Sequence, residues 1–246
     1  METRARRGRK ALTLLHTSDI HIGHPDHPDA VLGAFDGMLQ VARDINADAI
    51  LVAGDLFDVM TVPRAVIEYV FGAFERVGCP VVIVPGNHDS LLTNLDSPFH
   101  GLATNNVRVL TGETGETFTL GRIGLTLWGR PVYNHVPEFH PLEGLPARPA
   151  DGWYVAMAHG IVTDGLSFLE RASPIHEREL ELADSDYIAL GHVHQYREVT
   201  QGPAVAHYSG SPSVGYFPTA AIVHLDPAAG VHVESVDVPR LAHRLE

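Results

Sequence analysis

The chain has 246 residues, 45% hydrophobic and 19% charged, enough to bury a substantial core in one α/β domain or at most two small ones. Its formal net charge of −13 argues against bulk electrostatic capture of a polyanion, and its single cysteine, Cys79, excludes an intrachain disulfide and points to a reducing cytosol. No apolar run approaches the roughly 18 residues of a membrane span, and no signal-peptide core follows the basic start, so the expected location is cytoplasmic, off the membrane.

Residues 1–10 hold Arg4, Arg6, Arg7, Arg9 and Lys10. They read as a disordered, solvated tail, with a mobile basic arm that assists capture of an anionic substrate as the sharper alternative. Residues 11–246 read as one domain.

Along the chain, Leu12–Thr17 is a first strand ending in Thr17-Ser18-Asp19-Ile20-His21. Val31, Phe35, Met38, Ala42 and Ile45 recur at helical spacing. Ala49–Ala53 is an unbroken apolar run, short enough for a strand buried on both faces, and it stops at Gly54-Asp55-Leu56-Phe57-Asp58. Pro63 suits a first helical turn, and Ile67, Val70, Phe71, Phe74 and Val77 form a second amphipathic stripe. Cys79 precedes Pro80 and reads as a buried structural thiol; strand 80–84 then ends in Pro85-Gly86-Asn87-His88-Asp89. These first ninety residues spell β-α-β-α-β, with a parallel, right-handed crossover as the default.

The middle changes character. Runs 107–110, 117–120 and 123–127, separated by Gly-rich turns, suggest antiparallel pairing. Residues 128–152, rich in Pro and Gly and containing His135 and His140, read as a long loop, either a functional rim or a passive connection. A strand over 154–158 ends in His159-Gly160. A helix is expected over 174–183, then a strand over 187–190 that ends in Gly191-His192-Val193-His194. Strands close the chain near 204–208, 221–225 and 231–238.

Five polar strand tips thus follow in order: Asp19-x-His21, Gly54-Asp55-x-x-Asp58, Gly86-Asn87-His88-Asp89, His159 and Gly191-His192-x-His194. The first three are spaced by about one β-α-β unit each, so they return to the same sheet edge. On an extended strand end, His192 and His194 would point the same way. Asp-x-His, Gly-Asp or a lone histidine is commonplace, Gly-Asn-His-Asp is rarer but could cap a helix, and Gly-His-x-His alone is a moderate metal signal; the ordered set is not commonplace. Its oxygen and nitrogen donors, with no thiolate, suit Mn, Fe or Zn better than Mg or Ca. They outnumber what one site can use, so two divalent metals sharing one carboxylate is the economical arrangement, and such pairs serve in-line displacement at phosphorus.

These motifs resemble the calcineurin-like metallophosphoesterase superfamily over residues 12 to about 215. The detail is closest to SbcD-type DNA repair exonucleases, through His16-Thr17-Ser18-Asp19-Ile20-His21, Val52-Ala53-Gly54-Asp55-Leu56-Phe57-Asp58, Gly86-Asn87-His88-Asp89-Ser90 and Tyr208-Ser209-Gly210-Ser211-Pro212. The resemblance implies a four-layer α/β/β/α sandwich of two mixed sheets with metals at the strand ends. It implies that Asp19, His21, Asp55 and His194 hold one metal and that Asp55, Asn87, His159 and His192 hold the other, Mn2+ first among the candidates. His88 is left off both metals to protonate the leaving oxygen or stabilise charge, with Asp58 as its carboxylate partner. Archaeal and eukaryotic repair relatives carry histidine at the position of Asp58, a departure here, and Asp89 is expected to shape its turn.

The expected activity is phosphodiester hydrolysis, foremost as a nuclease. The alternative is a stand-alone phosphoesterase on a small substrate such as a cyclic nucleotide, a nucleotide anhydride or a phosphomonoester. A non-catalytic scaffold of the same fold ranks lower, because every matched ligand is present. The chain stops at Glu246, so no DNA-capping domain is expected, which also counts against an ATPase partner.

Overall fold

A computed structural model describes residues 9–58, 61–100, 104–164 and 173–243. In chain order its elements are β1 (Leu12–Thr17), α1 (Pro28–Asp44), β2 (Ala49–Ala53), α2 (Arg64–Arg76), β3 (Val81–Val84), α3 (Ser90–Thr93), β4 (Val107–Val109), β5 (Glu116–Leu120) and β6 (Leu125–Gly129). The second half adds β7 (Trp153–His159), β8 (Ile161–Thr163), β9 (Pro174–His176), α4 (Glu177–Leu182), β10 (Tyr187–Gly191), β11 (Tyr196–Glu198), β12 (Val205–Ser209), β13 (Thr219–Asp226) and β14 (Gly230–Asp237). None of the described helices is long and apolar enough to cross a membrane.

Two six-stranded mixed sheets stack face to face, in the orders β14-β13-β1-β2-β3-β4 and β11-β12-β10-β7-β6-β5. The two-residue side-chain period of a strand explains the layering. In β2, Ile50 and Val52 point to the helices α1 and α2, whose apolar stripes of Val31, Phe35, Met38, Val66, Val70 and Phe74 cover that face. Ala49, Leu51 and Ala53 point the other way, into a layer shared with Trp153, Val155, Met157, Tyr187 and Ala189 of the second sheet. The alternate residues of that sheet, Tyr154, Ala156, Ile188 and Leu190, face an outer layer with Leu180 of α4. Strands buried on both sides must be apolar at every position, as the uniformly buried β2, β3, β7 and β10 are. Each such Leu, Ile or Val contributes about 1.5–3 kcal/mol when fully buried. The result is the expected α/β/β/α sandwich.

Three expectations change. The run near 107 pairs parallel with β3 in the first sheet, so of the three runs just two, β5 and β6, pair antiparallel with each other. The stretch 174–183 is β9 followed by α4, because Ile161–Thr163 offers Pro174–His176 a parallel partner that the sequence does not advertise. Residues 1–8 of the basic tail lie outside the described residues, but Arg9 does not belong to a free arm. Its Nη2 donates to both Asp186 carboxylate oxygens at 2.6 and 2.7 Å, and its guanidinium lies 3.8 Å from the centroid of the Trp153 ring. The Trp153 indole N–H in turn donates to the Lys10 carbonyl. Cys79 is buried as expected, and burial pushes its thiol up to about 11.

Candidate metal centre

β1, β2 and β3 run parallel, as do β7 and β10, so five polar ends emerge along one side of the stacked sheets. The chain does not simply continue at those ends. Asp19, His21, Asp55 and His192 have φ of 54°, 55°, 54° and 96°, four of the five non-glycine residues with positive φ among those described. Such conformations cost of order 1 kcal/mol or more each, and survive where surrounding contacts over-determine them. Here Asp19 N–H donates to Gly54 O, His21 N–H to Asp55 O and Ile22 N–H to Leu56 O. Ser211 Oγ donates to Asp19 O at 2.6 Å and Ser213 Oγ to Ile20 O at 2.7 Å. Gly54, at φ +90°, could not be replaced: a Cβ there would stand 2.1 Å from Nδ1 of His159.

Two groups of donors share Asp19. Asp19, His21 and His194 present one ligand atom each within 4.8 Å of one another, as do Asp19, Asp55 and His159. In the first, His194 Nε2 is 3.4 Å from Asp19 Oδ1 and 3.4 Å from His21 Nε2. In the second, His159 Nε2 is 3.2 Å from Asp55 Oδ2 and 3.1 Å from Asn87 Oδ1. His88 reaches the rim of the cluster, grouped in the same way with His21 and Asp55. The inward nitrogens are fixed from behind. His159 Nδ1–H donates to Ala53 O at 2.9 Å, and His21 Nδ1 bonds Asp58 Oδ1 at 2.9 Å. A ring whose Nδ1–H is so engaged turns Nε2 toward the centre, the usual preparation of a metal-binding imidazole.

His192 and His194 do not point the same way. β10 ends at Gly191, and the left-handed φ at His192 breaks the two-residue alternation. The His192 ring lies 5.2 Å from that of His159 and 5.5 Å from that of His135, while His194 turns to Asp19 and His21. The expected partner of His88, Asp58, serves two rings. Asp58 Oδ1 sits 2.9 Å from His21 Nδ1 and 3.5 Å from His88 Nδ1, so its shorter bond is to His21. His88, with 44% of its side chain exposed, donates Nδ1–H to the Asp58 carbonyl at 3.1 Å, which leaves Nε2 open. Asp89 shapes the turn as expected: buried, it accepts from Gly86 N–H, Leu56 N–H and Phe57 N–H. Burial and the nearby Asp55 push its carboxyl up to about 7.

The sequence marks the supporting ring around this cluster, through the loop that holds His135 and the stretches that hold Ser18 and Ser211, but not its contacts. His135, from the long loop, reaches His192. Ser18 Oγ bonds Asp19 Oδ2, and the Ser209–Pro212 motif holds the Asp19 turn through Ser211.

Burial raises both Asp19 and Asp55, but the imidazoles and N–H donors around them outweigh it and hold each carboxyl below the usual range. His159 is correspondingly lifted to about 10, because the Asp55 and Asp19 charges overcome the penalty of burying it. Burial lowers His21, and burial with the neighbouring His159 lowers His192 to about 4, so these two rings are neutral lone-pair donors. Two almost fully buried carboxylates facing each other, with imidazole nitrogens turned inward among them, form a donor set that fits divalent transition-metal ions.

Comparison with known proteins agrees with this chemistry. Residues 12–196 match the family model described as Calcineurin-like phosphoesterase. The chain is 37% identical to the SbcD component of the SbcCD nuclease of Escherichia coli, over 92% of this chain and 67% of that protein. It is 26% identical to the corresponding SbcD component from Bacillus subtilis, over 88% of this chain and 67% of that one. Among solved structures, TT1561 of Thermus thermophilus superposes with a TM-score of 0.59 at 15% identity, covering 94% of this chain and 100% of that one, a likeness of fold alone. Since the family match takes in the first β-α-β-α-β unit and every strand end that feeds the cluster, the chain belongs to the calcineurin-like phosphoesterase family and is a metal-dependent phosphoric ester hydrolase.

Proposed function

We propose that residues 11–246 form one catalytic domain that hydrolyses phosphodiester bonds in nucleic acid, at ends or in short strands in preference to long duplex, with two divalent cations, Mn2+ foremost. The observation that carries this reading is the approach of the buried Asp19 and Asp55 carboxylates to His21 and His194 on one side and His159 on the other. Asp19, His21, Asp55 and His194 would hold one cation, and Asp55, Asn87, His159 and His192 the other. When bound, the pair supplies Lewis-acid chemistry for an in-line displacement at phosphorus.

The side chains have separate tasks. Ala53 O and Asp58 fix the rings of His159 and His21, so their Nε2 atoms face inward. His88 anchors Nδ1–H on the Asp58 carbonyl, which leaves Nε2 for the leaving oxygen. With Asp58 Oδ1 at 3.5 Å, the protonated ring has a counter-charge beside it. The likeness to SbcCD nuclease components favours nucleic acid over a small phosphoester, while the net charge of −13 disfavours a long phosphate-contacting surface.

Asp58 is a positioning residue in this scheme. Asp58→Asn keeps an acceptor for His21 Nδ1–H but removes the charge, and loss of such an outer partner typically lowers metal affinity or activity about 10–100-fold. Metal titration calorimetry should register a weaker first site, and Asp58→Ala a larger loss. Unchanged affinity in both would remove Asp58 from the metal centre's support.

The proposed activity is tested with a Mn2+-dependent panel of single-stranded DNA, duplex DNA, RNA, cyclic nucleotides and a generic phosphodiester. Turnover of oligonucleotides is expected. Robust turnover of a cyclic nucleotide or phosphomonoester with none of any oligonucleotide would replace the nuclease reading by the small-substrate one.

A further inference from the structure

One loop, residues 213–218, stands between two cavities that both open beside the proposed metal ligands. A cavity of about 410 Å³ is lined by His21, His24, His27, Arg240 and the loop residues Ser213, Val214 and Gly215. Another of about 590 Å³ is lined by His194, Tyr196, Tyr216, Phe217 and again Val214 and Gly215. The loop is therefore a partition, with a proposed ligand of the first cation, His21 or His194, on either side.

The two cavities have complementary chemistry. In the first, Arg240 Nη2 donates only to the carbonyls of Ser213 and Gly215, both at 3.4 Å. No carboxylate pairs with Arg240 among the described residues, although the chain carries a net charge of −13. A guanidinium left unneutralised in so acidic a protein, beside two more histidines, suits a phosphate. In the second, Tyr216 is 98% exposed and Phe217 82% exposed. Neither packs into a core, so neither supports the fold. Two adjacent aromatic rings held in water next to a phosphoester site suit the face of a nucleobase.

We infer that this loop is a single-strand clamp: Arg240, with His24 and His27, receives the phosphate next to the scissile one, and Tyr216 and Phe217 stack a neighbouring base. The inference rests on the nuclease reading and sharpens it, because a π face accepts any unpaired base while a paired one is already stacked in its duplex. It accounts for substrate retention by an acidic protein without an extended basic surface. A few contacts at one strand end replace many along a backbone.

The test compares kcat/KM for a single-stranded oligothymidylate with kcat/KM for methyl nitrophenyl phosphate, a diester with no base. Tyr216→Ala and Phe217→Ala should each lower the ratio of the two about tenfold, the loss expected of one base-stacking contact. Arg240→Gln should lower the slope of log affinity against log salt by about one unit, measured by fluorescence anisotropy of a phosphorothioate oligonucleotide. Leu182→Ala, on a residue 70% exposed in α4, is the control for removal of a surface apolar group. Wild-type cleavage of the oligonucleotide with an unchanged ratio in both aromatic variants overturns the clamp and leaves the nuclease reading standing. Equal loss on both substrates makes the loop structural and overturns the clamp as well. Hydrolysis of the small diester alone, with no oligonucleotide bound or cut, overturns both. Light scattering adds a further arm: a wild-type dimer that dissociates in Tyr216→Ala would assign the rings to a second copy of this chain instead.

Discussion

Asp55→Asn is expected to abolish paired metal binding and to lower turnover roughly 10³-fold or more, since several kcal/mol of charge stabilisation depend on the cations. The side chains are isosteric, so the fold should persist. Asp55 Oδ1 accepts from His88 N–H at 2.9 Å, a bond that an amide oxygen can retain. The other oxygen lies 3.2 Å from His159 Nε2. Replaced by an amide, that position carries N–H donors aimed at the very nitrogen a cation would use. The substitution thus removes the shared negative charge and caps a ligand at the same time. Elemental analysis of protein loaded with Mn2+ is the measurement, beside a thermal melt to show that the variant is folded. Two metals per chain are expected in the wild type. A single metal at saturation in the wild type, or full occupancy in Asp55→Asn, would sink the shared-ligand assignment.

His88→Ala should lower kcat by about 10²–10⁴-fold, the range for one acid–base group, while metal content is retained. His88 has 44% of its side chain exposed, and its Nδ1–H is engaged by the Asp58 carbonyl. Only Nε2 is open to a substrate, and only when protonated can it donate to the oxygen that leaves phosphorus. A nitrophenyl leaving group needs no proton, so the variant should be far less impaired on a nitrophenyl diester than on an oligonucleotide. Equal losses with metals intact would remove the proton-donor role and leave charge stabilisation at most. Loss of metal would instead mean that His88 supports the turn at Asn87, or that its edge-on contact with His21, at 5.0 Å between ring centroids, matters to that ligand.

What can be read in advance follows physical scale. Ala49–Ala53 is conspicuous because a strand buried on both faces has no polar position, and Asp55 follows because a strand must end. The helices α1 and α2 are legible through their stripes for a similar reason. β8, β9 and β11 are not, since strands this short carry no period and no apolar run marks them, unlike β4 with its run of Val107, Val109 and Leu110. The same holds within the site. Which residues belong to the polar tips can be read from local order, but which atom meets which cannot. Asp58 backs His21 more closely than His88, and His21 sits at a positive φ that nothing in the residue types announces. The divergence of His192 from His194 comes with a positive φ as well. Arg9 reads as one more charge in a basic tail because its partners, Asp186 and Trp153, are remote in sequence.

The place of β1 has a temporal consequence. It lies between β2, made soon after it, and β13, to which Leu12–His16 pair in register with 221–225. The turn carrying Asp19 is likewise secured by Ser211, 192 residues further on, and by Ser213. On a ribosome, β1 and its turn leave the exit tunnel long before these partners do. At about 5–20 residues per second, the unfinished chain spends on the order of ten seconds or more with one edge of β1 unpaired. Closing so long a loop comes late in folding, because its entropy cost precedes any return from the contact. Capture of metal therefore waits for the second half of the chain, and a nascent chain interrupted before residue 211 holds Asp19, His21 and Asp55 without the clasp that sets their geometry.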